Sequence, residues 1–199
     1  MGRDKAQKSA DGSIGEPVLA LDDVGELQRI INERFGEGTL LWGSDANLRI
    51  RKLPLDIDPL DRALDGGFAF GRPTILIGEW SSGKTLLALF ALKAAQRRGI
   101  SAVFIDVERS FDPEWATVLG VDVSKLPVSR PETGEKALDL LVALCENNTG
   151  LVVLDSIAAL LPTAEAEADK GFEQQFYAEQ ARLVSRAMRR VTAANRRTC

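Results

Sequence analysis

The chain has 199 residues, enough for one domain of ordinary size, a formal charge of −4 and no histidine. The acidic balance argues against a protein that holds nucleic acid by bulk charge, while leaving room for a local basic face. The lack of histidine excludes Ser-His and Cys-His catalysis and His-based zinc sites. Apolar residues make up 45% of the chain, an ordinary share for a globular protein. No apolar run reaches the length of a membrane span, and the first residues do not resemble a secretory signal, so the cytoplasm is the expected location. The two cysteines, Cys145 and Cys199, have no metal-ligand spacing and make no disulfide framework. Cys145 sits in an apolar helical pattern and reads as a small buried hydrophobe.

In chain order, residues 1–17 are polar and without periodicity, and are expected to be disordered. From Leu21 to Phe35, Val24, Leu27, Ile30, Ile31 and Phe35 recur at helical spacing, and Gly36 ends the helix. Thr39–Trp42 and Leu48–Leu55 are strand candidates. This front region, residues 18–56, is too small to bury much core alone, so its apolar stripe must pack on the main domain or on another subunit.

Residues 57–199 form the main domain. Thr74–Ile77 reads as a short buried strand, followed by a helix from Lys84 to about Arg98. A strand at Ala102–Asp106 leads to a helix near Pro113–Leu119, with Pro113 suited to a helix start. Val128–Ser129 is a further short strand. Pro131–Cys145 reads as a helix, its early Glu132 and Glu135 matching the helix dipole. The strand Leu151–Leu154 ends at Asp155. Residues 163–173 are acidic and alanine-rich and read as a mobile loop. Gln174–Arg197 reads as a helix carrying Arg182, Arg186, Arg189, Arg190, Arg196 and Arg197. Alternating strands and helices predict an α/β fold with a mostly parallel sheet covered by helices.

Chemistry enters at Gly78-Glu79-Trp80-Ser81-Ser82-Gly83-Lys84-Thr85, which fits the phosphate-binding loop pattern. Its glycines let backbone N–H groups turn toward phosphates, and the following helix adds its positive end. Lys84 is placed to reach the β- and γ-phosphates of a nucleotide, and the Thr85 hydroxyl to hold Mg²⁺. Asp155, at the end of an apolar strand, is a candidate magnesium ligand beside Thr85, or else a helix N-cap. Glu108, just past the strand ending at Asp106, is the candidate base that orients water, or else a surface carboxylate paired with Arg109. On the last helix, Arg182, Ser185, Arg186 and Arg189 share a face at three- and four-residue spacing. That face is either an ordinary solvated one or a set of contacts to a nucleic-acid backbone.

With these residues in hand, the chain resembles the RecA family of DNA strand-exchange ATPases, closest to the bacterial type. The resemblance runs from about Leu21 to the end. It is carried by Phe35-Gly36-Glu37-Gly38-Thr39, Leu60-Asp61-Arg62-Ala63-Leu64, Ser81-Ser82-Gly83-Lys84-Thr85 and Phe104-Ile105-Asp106-Val107-Glu108. Further stretches are Phe111-Asp112-Pro113, Leu119-Gly120-Val121-Asp122, Thr133-Gly134-Glu135-Lys136-Ala137-Leu138 and Leu154-Asp155-Ser156-Ile157-Ala158-Ala159-Leu160. It implies a RecA-type phosphate-loop ATPase core preceded by a small helix-strand polymerisation region.

The resemblance also implies roles. Glu108 falls on the family's catalytic glutamate, and Asp112 and Trp115 fall where the family grips adenine. Leu21–Phe35 falls on the helix that docks onto the neighbouring subunit, residues 166–175 on the first DNA-binding loop, and Arg182, Ser185 and Arg189 on contacts to the DNA backbone. ATP and Mg²⁺ are the implied cofactors. The implied partners are single- and double-stranded DNA and further copies of the chain in a helical filament, with no membrane. Glu79-Trp80 departs from the family's usual Pro-Glu. The first DNA loop is about two residues longer, with Phe172, Phe176 and Tyr177 as base-contacting candidates. The family continues past the position of Cys199 into another strand, a second DNA loop and a C-terminal domain. The expectation is therefore that these residues are the N-terminal portion of a longer protein, marginally stable and impaired in hydrolysis on their own.

Overall fold

The structure, a computed structural model, describes residues 24–161 and 175–195. The chain divides into two units, Met1–Arg49 and Ile50–Cys199. The expected disorder of residues 1–17, the helix start at Leu21, the loop at 163–173, Arg196, Arg197 and Cys199 lie outside the described residues. So do the side chains of Phe172, Phe176 and Tyr177.

In the first unit, α1 spans Val24–Phe35 and buries none of its residues. Ile30 is 47% exposed and Phe35 62%. The chain after it folds back through Asn32. The Asn32 side chain donates to the Leu40 carbonyl at 3.1 Å and accepts from the Leu40 amide at 2.8 Å. Thr39 bonds back to the Gly36 carbonyl through both its amide and its hydroxyl. These bonds occupy groups that a strand at Thr39–Trp42 would need, and that segment is a bend followed by irregular chain rather than a strand.

The second unit opens on a small antiparallel pair, β1 (Lys52–Leu53) with β2 (Phe68–Ala69), which flanks helix α2 (Asp58–Ala63). Only these two residues of the expected Leu48–Leu55 strand pair. Its start is a single 3-10 turn, Ala46–Leu48, capped by the Asp45 carboxylate. Gly67 has φ +114°, and a Cβ there would strike the Leu53 carbonyl and approach the Pro54 Cα to 2.8 Å. Only glycine fits so close a backbone crossing.

The main elements follow as α3 (Lys84–Arg97), β3 (Ala102–Asp106), α4 (Pro113–Val118), β4 (Val128–Ser129), α5 (Gly134–Glu146), β5 (Leu151–Asp155) and α6 (Gln175–Asn195). The sheet is parallel in the order β4-β3-β5. β3 lies at its centre and is covered on both faces. Phe104, fully buried, packs with Leu89, Leu92, Ala95 and Ala116. Ile105, one residue on and pointing the other way, packs with Ala137, Leu138, Leu141, Val142, Ala187 and Val191. Burial on both faces explains why β3 reads as an unbroken apolar run. α6 lies on α5 through Ala187 and Val191, and Arg190 reaches Asp139 at 3.3 Å.

Two differences from the sequence reading have physical causes. α5 begins at Gly134 rather than Pro131, because the Thr133 hydroxyl caps it by accepting from the Lys136 amide. Glu132 therefore precedes the helix and pairs with Lys136 instead. The larger correction is Thr74–Ile77, which forms no strand; Ile75 is 61% exposed and Ile77 91%. A strand needs a hydrogen-bonded neighbour. Among the described residues no strand is hydrogen-bonded to Thr74–Ile77, and β5 pairs on one side only, with β3.

Candidate active site

The site is set by the register of two parallel strands. Ala102 lies opposite Leu151, and so on up to Asp106 opposite Asp155. Both strands thus release their chain at the same edge, the edge where ligands bind in open α/β sheets.

Asp155 is the meeting point. One of its carboxylate oxygens, Oδ2, accepts from the Thr85 hydroxyl at 2.7 Å, joining the phosphate-type loop to the end of β5. Its carbonyl accepts from the amides of Val107 at 2.9 Å and Glu108 at 3.2 Å. The Glu108 carboxylate in turn accepts from the hydroxyl of Ser156. Thr85, Asp155, Ser156 and Glu108 therefore form one hydrogen-bonded chain across 70 residues of sequence. Asp155 does not cap a helix; the short turn Ile157–Ala159 has Ser156 in that position, with no side-chain capping bond. Glu108 bonds to Ser156 rather than pairing with Arg109.

The loop Gly78–Thr85 is largely exposed and ends at Gly83, whose φ of +88° turns the chain into α3. Ser81 also has a positive φ, 57°. A Cβ on Gly78 would meet the Ser82 hydroxyl at 2.6 Å, so a larger residue there would require the Ser82 side chain to turn away. The Lys84 ammonium donates to the carbonyls of Gly78 at 3.0 Å and Glu79 at 2.8 Å, closing the loop on itself. Trp80, at the loop's tip, is 90% exposed.

The donor set suits a hard divalent cation: a hydroxyl oxygen and a carboxylate oxygen already within bonding distance of each other, beside a lysine and a helix N-terminus. Among the described residues no group of three or more Cys, Asp or Glu side chains is placed to hold a metal ion, so Thr85 and Asp155 would leave most of a cation's positions to the nucleotide and water.

Asp112 and Trp115 lie at the start of α4, on the segment that follows Glu108. Asp112 is its N-cap, Oδ1 accepting from the amides of Glu114 at 2.9 Å and Trp115 at 3.1 Å. The Trp115 ring is half exposed. On α6, Arg182, Ser185, Arg186 and Arg189 are all exposed, opposite the face carrying Ala187 and Val191. Arg189 donates to the Ser185 hydroxyl at 3.2 Å. Arg190 is drawn instead toward Asp139 and Glu146 of α5.

The sequence reading did not foresee the Ser156–Glu108 bond. Its signal was present in the juxtaposition of two strands that each end in Asp, but reading it requires the strand register, which a single sequence does not reveal. It also passed over the Asp106 carboxylate and Arg130, which bond to each other below Glu108.

Comparison with known proteins bears on the family. The RecA N-terminal domain family matches residues 24–199. Protein RecA of Prochlorococcus marinus (strain MIT 9303) is 40% identical over 194 residues, covering 93% of this chain and 51% of the relative. Protein RecA of Synechococcus sp. (strain CC9311) is 42% identical over 191 residues, covering 94% and 48%. Protein RecA of Prochlorococcus marinus (strain MIT 9211) is 44% identical over 181 residues, covering 89% and 48%. The chain spans about half the length of the curated relatives it matches. With the family match extending over nearly all of it, the chain belongs to the RecA family.

Proposed function

We propose that this chain is the ATP-hydrolysing part of a recombinase. It would assemble as a filament on single-stranded DNA with ATP bound and pair that strand with a homologous duplex. The observation that carries the reading is the hydrogen-bonded chain Thr85–Asp155–Ser156–Glu108. It brings a candidate magnesium pair and a candidate water-orienting carboxylate to one sheet edge, beside a phosphate-binding loop.

In this reading the amides of Gly78–Thr85 and the N-terminus of α3 receive the phosphates. Lys84 exchanges its two carbonyl partners for the β- and γ-phosphate oxygens, a short swing within the same loop. Thr85 and Asp155 hold Mg²⁺, which when bound neutralises charge on the phosphates. Glu108 accepts a hydrogen bond from the attacking water, and Ser156 fixes the direction of that carboxylate. Trp115 offers a face for the adenine ring and Asp112 a carboxylate beside it. Arg182, Ser185, Arg186 and Arg189 form the exposed polar face for a DNA backbone. The exposed apolar side of α1 docks on a second copy. The cytoplasm is the location that goes with this reading; no described helix is long and apolar enough to cross a membrane.

The test is ATP binding and turnover with and without single-stranded DNA, using Lys84→Ala as control. Turnover that DNA stimulates, and that the variant loses, is the expected result. Nucleotide bound without turnover favours a nucleotide-gated repair regulator instead. Closed rings in place of filaments on single strands favour a helicase- or clock-type ATPase.

A further inference from the structure

Asp106 is the only charged side chain among the described residues that is fully buried. The mechanism above does not use it. Burying a carboxylate is costly unless it is paired and hydrogen-bonded, and here both conditions are met. Oδ1 accepts from the Ser110 amide at 2.9 Å, and Oδ2 accepts from the Phe111 amide at 3.3 Å and from Arg130 Nε at 2.9 Å. Arg130 Nη2 also reaches the Phe111 carbonyl at 3.4 Å. Arg130 follows β4, which pairs with β3. The guanidinium therefore grips both the carboxylate and the main chain that the carboxylate holds.

What these bonds enclose is the segment that carries Glu108. The turn Val107–Phe111 is fixed at its start by the Asp155 carbonyl, through the amides of Val107 and Glu108. It is fixed at its finish by Asp106, through the amides of Ser110 and Phe111. Between them Arg109 takes a left-handed φ of 56°. Val107 and Phe111, both half-buried, pack on the core at the two ends of the turn, Phe111 with its ring 5.1 Å from that of Phe104. Glu108, Arg109 and Ser110 between them are exposed, so the shape of that stretch rests on these polar bonds.

We propose that Asp106 and Arg130 are positioning residues. They form a clamp between a buried carboxylate and a half-exposed guanidinium that locks the Val107–Phe111 turn and so aims the Glu108 carboxylate. The clamp rests on the reading of Glu108 as the residue that orients water. Removing Arg130 leaves Asp106 with its two backbone donors but no cation, so the turn is expected to loosen first, and protection of β3 reports whether the wider fold holds. An error of an ångström in a reacting group's placement costs far more in rate than in substrate affinity.

The experiment measures two properties of the 199-residue chain for wild type, Arg130→Met and Arg130→Lys. The first is hydrogen exchange of the Ser110 and Phe111 amides against those of β3. The second is the division of ATPase change between kcat and KM. Arg130→Met is expected to raise exchange at Ser110 and Phe111 about tenfold while leaving Ala102–Ile105 unchanged. It is expected to lower kcat about tenfold or more with KM within about twofold. Arg130→Lys, which keeps the charge, is expected to restore most of both. Unchanged exchange at Ser110 and Phe111 overturns the clamp. Loosened exchange with normal kcat, or a parallel loss of kcat, KM and β3 protection, overturns the positioning role. If wild type binds but does not turn over ATP while Glu108→Gln behaves identically, the hydrolytic reading fails. The exchange measurement then still decides whether the clamp holds the turn.

Discussion

At the scale of single residues, the site is a relay in which each side chain has one directional bond, so each substitution has a separable outcome. Glu108→Gln keeps the shape and the Ser156 contact but removes the negative oxygen. It is expected to bind ATP normally and to lose turnover by about 10²-fold or more. Rapid-quench turnover beside equilibrium nucleotide binding measures both, and normal hydrolysis would remove Glu108 from its role. Ser156→Ala leaves the carboxylate in place but unaimed. A loss of about tenfold in kcat with little change in KM is expected, smaller than for Glu108→Gln. Equal losses in the two variants would mean that Ser156 does more than orient. Cys145, read from the sequence as a buried hydrophobe, is only partly buried. It packs at the edge of the α5–α6 cluster, and burial pushes its thiol above the ordinary value, which makes it a poor nucleophile.

At the scale of elements, legibility followed periodicity and local capping. β3, β5 and α3 were readable because apolar runs, and the glycine-rich loop that leads into α3, leave little choice. α4 was readable because Asp112 and Pro113 form a helix start. The failures lie where pairing decides. Thr74–Ile77 has the composition of a strand yet is unpaired, since strand character in Ile-rich segments depends on a neighbour rather than on intrinsic preference. Thr39–Trp42 failed because Asn32 and Gly36 take its backbone bonds. The α5 boundary slipped by three residues because Thr133 outcompetes Pro131 as the point of entry. Thr133→Ala should cost about 1 kcal/mol, read as a shift of the denaturant midpoint with the slope unchanged. The β1–β2 crossing is less forgiving. Gly67→Ala combines a positive φ with overlap on the Leu53 carbonyl, and should cost about 2–4 kcal/mol, or roughly 5–10 °C in Tm. A Tm within about 1 °C of wild type would show that the crossing relaxes freely.

At the scale of the whole molecule, the first unit carries an amphipathic helix that buries no residue within the described structure. Its polar side is held by Arg29, which bridges Glu26 and Glu33 at 2.6 Å each. Exposed pairs of this kind add little stability. They keep the polar side soluble and leave Ile30 and Phe35 facing outward. Ile30→Asp is expected to abolish self-assembly, measured by sedimentation with ATP and single-stranded DNA, while ATP binding to the isolated chain stays within about twofold. Assembly unchanged by that substitution would assign α1 another partner.

The one-sided pairing of β5 bears on how the protein behaves in the test tube. Among the described residues the outer side of β5 has no hydrogen-bonded neighbour, and Ile75 and Ile77 are exposed; such a row of backbone amides and carbonyls is a template for any extended segment that drifts against it. Concentrated solutions of this chain should therefore gather slowly into sheet-rich aggregates that bind amyloid dyes. A short peptide with alternating β-branched residues, added in excess, should slow that process by occupying the edge first.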